Sequence, residues 1–187
     1  MSQNPSSPKI DAYAVFIGPI NQETAQRITA NLVSATTAEK NIGRVHLLFQ
    51  STGGFIGEGV FLYHLLRTLP VDLTIYNSGS VQSIAVIAYL GAQKRKATAS
   101  ATFVIHRTIA GQQPATARRL RAIAESVLID DRRTEAILRT HVRLTDEQWD
   151  ALDHHDLTFS GEDAVALGFA DELGDFSPPP GTQIYYI

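Results

Sequence analysis

Seven consecutive apolar residues, Ile84 to Leu90 (IAVIAYL), follow directly on Ser83, which closes a polar, glycine-bearing turn beginning at Asn77. The run is far too short to span a bilayer. A helix that is apolar on every side must lie inside the protein, so the rest of the chain has to wrap it. At the first turn of such a helix, Ser83 would turn its hydroxyl and the free backbone N–H groups toward the adjacent space. Two roles fit a serine there. It can cap the helix, or it can be a nucleophile held on a tight turn. On this stretch alone the cap is the simpler reading.

The flanking segments decide what wraps the buried helix. Tyr13 to Ile17 reads as a short strand closed by Gly18-Pro19. Asn21 can cap a helix from about Gln22, with Ala25, Ile28, Leu32 and Val33 on one face. Val45 to Phe49 is a second strand without polar alternation, the pattern of strands buried on both faces in parallel sheets. Ser51-Thr52-Gly53-Gly54 then leads to a helix from about Ile56 to Leu69, stopped by Pro70. Leu73 to Tyr76 is a third strand, and Thr102 to Ile105, ending in His106, a fourth. Gln93 to Lys96 reads as a solvated basic turn, and Gly111 to Pro114 as a polar loop. One long helix runs from Ala115 to about His141, with an apolar stripe through Leu120, Ile123, Val127 and Ile137. Thr145 starts a short helix in which Glu147 can bond back toward the cap, Asp153 to Asp156 is a polar turn, and Ser160 caps a last helix ended by Gly168.

Strands alternating with helices predict an α/β protein with a mainly parallel sheet. Residues 1–12 read as a flexible arm, 13–176 as a single domain and 177–187 as a tail. The polar N-terminus predicts neither signal peptide nor anchor. A formal net charge of −3 argues against a nucleic-acid surface. No cysteine is present, which excludes disulfides, thiolate metal sites and a cysteine nucleophile, and fits a cytoplasmic protein. The adjacent His154 and His155 do not face the same way and have no third ligand nearby, so neither metal nor cofactor is expected.

Sites in parallel sheets collect at the carboxyl ends of strands, and three candidates share that address: Gly53-Gly54, Ser83 and His106. Serine needs a base to take its proton, and histidine is the usual one near neutral pH. Histidine needs an acceptor that fixes its tautomer, which here would be Asp150, Asp153 or Asp156. Asp156 is favoured because the strand-like Leu157 to Phe159 would anchor it. The N–H groups of Gly54 and Ile84 could receive an oxyanion. Each piece has a bland alternative: Gly53-Gly54 as a plain turn, and His106 as a satisfied, half-buried histidine.

The order of these parts resembles the Clp protease proteolytic subunit family, over roughly Val15 to Leu173. The carriers are Gly53-Gly54 before a helix, Gly79 to Ser83 before a buried helix, Phe103 to His106 ending a strand, and Asp156 ahead of Phe159-Ser160 and Ala164 to Asp171. The resemblance implies a crotonase-like fold, a repeated β-β-α superhelix in which the helix Ala115 to His141 is a protruding handle. It implies a serine endopeptidase acting on peptides or unfolded proteins through an acyl-enzyme, with Ser83, His106 and Asp156 catalytic. Gly54 and Ile84 would form the oxyanion hole. An extended substrate would lie along Gly53, Phe55, Arg107, Thr108 and Ile109. The family further implies a homo-oligomer, a heptameric ring or stacked rings, fed by an ATPase unfoldase of the AAA+ class.

The departures from the family bear on assembly. Thr52 stands in place of a proline before the glycines. His155 and Leu157 stand where arginines of ring-to-ring ion pairs usually are, which counts against stacking. A short polar segment before the first strand counts against the unfoldase dock. The rival readings are an acyl-CoA hydratase or isomerase of the crotonase type, a Ser-Lys peptidase using Lys94 or Lys96, and a non-catalytic ring subunit. The first would leave Ser83 and His106 without work and lacks a visible carboxylate pair. The second places its lysines past the far end of the buried helix. The third is opposed by intact Ser83, His106 and Asp156.

Overall fold

The computed structural model describes residues 9–37, 40–111 and 114–187. Along the chain run β1 (Ile10–Ile17), α1 (Gln22–Ala35), β2 (Ile42–Gln50), α2 (Ile56–Thr68), β3 (Asp72–Asn77), β4 (Ser80–Gln82), α3 (Ile84–Tyr89) and β5 (Lys94–Ala97). Then follow β6 (Thr102–Ile105), α4 (Ala117–His141), α5 (Asp146–Ala151), β7 (Leu157–Ser160), α6 (Gly161–Leu167), β8 (Glu172–Leu173) and β9 (Ile184–Tyr186). A six-stranded sheet has the order β8-β5-β3-β2-β1-β9, every pair parallel. Parallel neighbours need crossovers, and these are usually helices; α1 and α2 supply them between β1, β2 and β3. A second sheet, β4-β6-β7, pairs β4 with β6 in parallel and β6 with β7 antiparallel.

The α3 segment is buried at all six of its positions, as its composition requires. Around it sit Phe16, Leu47, Phe49, Leu73 and Ile75 of the large sheet and Leu62, Tyr63 and Leu66 of α2, in one continuous core. α1 begins with a reciprocal cap in which Asn21 and Thr24 each bond the other's backbone N–H. Its buried face is Thr24, Ala25, Ile28, Leu32 and Ala35, whereas Val33, expected on that face, stays 46% exposed.

Several sequence expectations are corrected. The basic stretch is no solvated turn: Lys94, Arg95 and Lys96 lie in β5, because Lys94 and Lys96 pair with Glu172 and Arg95 with Asp171 across the strand edge. Residues 10–12 extend β1 into register with β2, while 1–8 of the expected arm lie outside the described residues. Of the tail, Ile184–Tyr186 returns to pair with β1, and Ile187 is buried. In α5, Gln148 at the third helical position completes the capping box with Thr145, while Glu147, expected to bond back toward the cap, has its pKa lowered first by its own backbone N–H and then by the Thr145 side chain. The long helix starts at Ala117, and Gln112 and Gln113 of the loop before it lie outside the described residues. Along its expected stripe only Ile137 is buried, with Leu138 beside it, and Leu120 is exposed. His46 of β2 bonds Tyr76 Oη through Nδ1 at 2.8 Å and stacks on Tyr13.

Candidate active site

Three strand ends meet because short ladders tie them together. Ser51, one residue past β2, bridges Val81 of β4, its N–H donating to Ser80 O and its carbonyl accepting from Gln82 N–H. β4 then pairs β6 with Gln82 opposite Val104. The segments leaving these strands, Gly53-Gly54, Ser83 and His106, therefore leave from neighbouring positions. The antiparallel β6–β7 ladder closes with Ile105 opposite Leu157, which carries the backbone of Asp156 to the flank of His106.

Ser83 precedes α3 with φ 57° and ψ −134°. Non-glycine residues rarely adopt a positive φ, and such strain of about 1–3 kcal/mol persists only where the surroundings impose it. Here the Ser83 N–H is drawn into a 2.7 Å bond to Val104 O while the chain turns into the buried helix. The hydroxyl makes no cap bond, so the simplest sequence reading of Ser83, an ordinary cap, does not describe it. Gly53 lies against it at φ +99°, and a Cβ there would sit 2.6 Å from the Ser83 Cβ. The Gly53 N–H donates to the buried Ser51 Oγ at 3.1 Å. Gly54 crosses Ile20 so closely that any side chain would overlap the Ile20 carbonyl. That carbonyl is already taken by Phe55 N–H. Among the described residues no acceptor takes the N–H of Gly54 or of Ile84.

His106 is half-buried, and its Nδ1 lies 2.6 Å from Arg107 O. A carbonyl oxygen can only accept, so Nδ1 carries the proton and Nε2 presents a lone pair. Neither the Ser83 hydroxyl nor the Asp156 carboxylate has a hydrogen-bond partner among the described residues, and Asp156 is exposed. The segment after His106 is tied to α4. Arg107 bonds Glu135 and Asp153, each at 2.6 Å, and Thr108 N–H donates to Asp131 Oδ1 at 2.7 Å. Desolvation works against the Arg107 charge, but its two carboxylate bonds outweigh that and raise its pKa. Burial likewise pushes the Glu135 carboxyl up, yet the hydrogen bonds from Arg107 and Arg139 win and hold it below the ordinary value.

These groups open on one cleft of about 630 Å³. Ser83, His106, Gly54, Ile84, Phe55, Arg107, Thr108 and Ile109 all line it, and Asp156 does not. Apolar side chains of α3 (Ile87), β6 (Ile105) and α4 (Ile123, Val127, Leu138) form one part of its walls. Ile123 and Val127, read as a core stripe, thus serve as cleft wall. Two carboxylates that the sequence analysis did not place there, Glu58 and Asp130, also line the cleft, and Asp130 is paired with Arg133. Asp131 and Glu135 were missed as well. Their spacing puts both on one helical face, but nothing in the sequence says that this face meets the loop after His106.

A sequence model described as Clp protease matches residues 9–176. The ATP-dependent Clp protease proteolytic subunit of Streptococcus gordonii is 28% identical over 166 residues, covering 87% of this chain and 84% of that protein. The subunit of the same name from Streptococcus equi subsp. equi shows the same identity and coverage. Among solved structures, a mutant of ClpP1 from Listeria monocytogenes superposes with a TM-score of 0.72 at 21% identity, covering 87% of this chain and 91% of that one. The structural likeness concerns the fold.

Proposed function

The chain belongs to the Clp protease family, and from that membership we propose that it is a serine peptidase whose nucleophile is Ser83. The observation that carries the reading is the backbone of Ser83: a strained, positive-φ serine with an unbonded hydroxyl, facing a cleft shared with the Nε2-free His106. A cap would have used that hydroxyl, and a merely structural turn would have used glycine.

In the proposed reaction, Ser83 Oγ attacks the scissile carbonyl carbon while its proton passes to His106 Nε2. The oxyanion takes the N–H groups of Gly54 and Ile84. The C–N bond then breaks, and His106 returns the proton to the leaving amine. Water, deprotonated by the same nitrogen, releases the acyl group. Asp156 is the expected carboxylate, brought beside His106 by the β6–β7 register. An extended peptide would enter along Gly53, Phe55 and the Arg107–Ile109 segment, with an apolar side chain against Ile87, Ile105 and Val127.

The exposed apolar residues of α4, Leu120, Leu128 and Ile129, support assembly through that helix, which is about 37 Å long. The named relatives are ATP-dependent subunits; a partner ATPase for this chain belongs to the same proposal. A Ser-Lys peptidase is disfavoured, because Lys94 and Lys96 are engaged with Glu172 on β8. The test is labelling by a fluorophosphonate probe, in which Ser83 Oγ would displace fluoride. Labelling of the wild type and none of Ser83→Ala is expected. An assembled wild type that does not label, or a Ser83→Ala variant that does, ends the proposal.

A further inference from the structure

We propose that Glu58, in the first turn of α2, is a specificity-determining residue that selects peptides carrying a lysine or arginine near the apolar residue at the cleavage point. This inference rests on the reading of Ser83 as nucleophile and names a substrate class for that same cleft. Among the described residues, the charged or titratable side chains lining the cleft are Glu58, His106, Arg107 and Asp130. Two of them are already matched: Arg107 is held between Glu135 and Asp153, and Asp130 is paired with Arg133. His106 is the proposed base. Glu58 remains. It is half-buried, yet among the described residues it makes neither a hydrogen bond nor an ion pair.

The ordinary role for such a carboxylate is closed off. A glutamate at the third position of a helix reaches back to the N–H of the capping residue. In α2 that residue is Phe55, which has no side-chain cap bond, and its N–H already donates to Ile20 O at 2.8 Å. The next residue, Gly59, is pressed so closely on Ile84 that a Cβ there would overlap the Ile84 side chain. Glu58 is thereby held one residue from the contact with a proposed oxyanion donor. Glu58 and Gly57 also line a second groove of about 360 Å³, shared with Gln22 and Gln26 of α1 and Phe61 of α2. Gly57 has open space where a Cβ would stand, although glycine weakens a helix relative to alanine. The ridge between cleft and groove is therefore bare backbone, and an extended peptide that crosses it passes beside Glu58. A half-buried carboxylate without a counter-ion is matched by a cation that arrives with the substrate, through a charge-assisted hydrogen bond. An acidic side chain in the same place meets repulsion.

The experiment compares kcat/KM for the assembled wild type, Glu58→Gln and Glu58→Lys. The peptides share one apolar residue at the cleavage point and carry Lys, Gln or Glu at each neighbouring position in turn. Taking the ratio within one variant cancels any loss of folding or assembly. The wild type is expected to favour Lys over Gln about tenfold at one position, and less so at high salt. Glu58→Gln is expected to lose that preference, and Glu58→Lys to turn it toward Glu. A wild type without a basic preference overturns the inference, as does a preference that survives in Glu58→Gln. Should neither variant fold, the wild-type preference and its weakening by salt decide, and a preference indifferent to salt refutes the role of the carboxylate. Fluorophosphonate labelling keeps the two readings apart. A wild type that labels without a basic preference removes the role of Glu58 alone, whereas one that does not label removes both.

Discussion

Replacing Ser83 by glycine should stabilise the protein while abolishing its chemistry. At φ 57° and ψ −134° the residue sits where only glycine is at ease. Strain of that kind costs about 1–3 kcal/mol. Glycine relieves it but adds freedom to the unfolded chain, which costs about 0.4–1 kcal/mol. The net gain is about 1 kcal/mol, or about 2–4 °C in melting temperature for a domain of this size. Ser83→Ala is the proper reference, since it loses the same hydroxyl but keeps the Cβ and hence the strain. The assay is thermal unfolding of both variants at one protein concentration, because assembly makes the midpoint concentration-dependent. A Ser83→Gly variant no more stable than Ser83→Ala would refute the claim that the backbone there is strained for function.

Gly54→Ala should both destabilise the fold and stop fluorophosphonate labelling, since its Cβ overlaps the Ile20 carbonyl at the turn that carries a proposed oxyanion donor; stable, active Gly54→Ala protein would contradict that. Burial lowers the pKa of His46, against the pull of Asp11, and lowers that of His141, with Arg95 and Arg67 adding to it, both from an ordinary 6.5. The unfolded chain then takes up these protons first, so their contribution is full above pH 6.5 and falls as the pH drops through it. Urea unfolding from about pH 8 to about pH 5.5 should show a shallower pH dependence in the His46→Gln/His141→Gln variant, and an unchanged slope would count against it. Leu128→Asp, on the exposed part of α4, should reduce the assembly seen by native mass spectrometry; an unaltered mass would remove α4 from the interface.

Much of the candidate site was legible in the sequence because its signals are local. The run from Ile84 to Leu90 had to be a buried helix whatever surrounded it, and Ser83 had to stand at its mouth. The Gly53-Gly54 turn and the strand ending at His106 could be read from short-range composition. The register that sets Asp156 beside His106 was only implied by Leu157 to Phe159, and the direction of its side chain was not. The basic stretch was misread because Lys94 and Lys96 are neutralised by Glu172, a partner far along the chain that a local charge count does not see. The same limit hid the ties after His106. Asp131 and Glu135 announce an acidic helix face, but only the packing of α4 against the β6 end makes that face the support of the Arg107–Thr108 peptide.

The sequence by itself determined the helices, the strands β1, β2, β3 and β6, the parallel α/β class and the three strand ends that carry the candidate chemistry. These follow from patterns within a few residues of each position: hydrophobic periodicity, turn residues and caps. Only the tertiary structure decided which side chains meet at those ends, that Ser83 is held at a positive φ, and that the His106 proton rests on a backbone carbonyl rather than on Asp156. Hydrogen bonds and backbone strain depend on distances and angles between segments remote in the chain, and such distances exist only once the segments have packed.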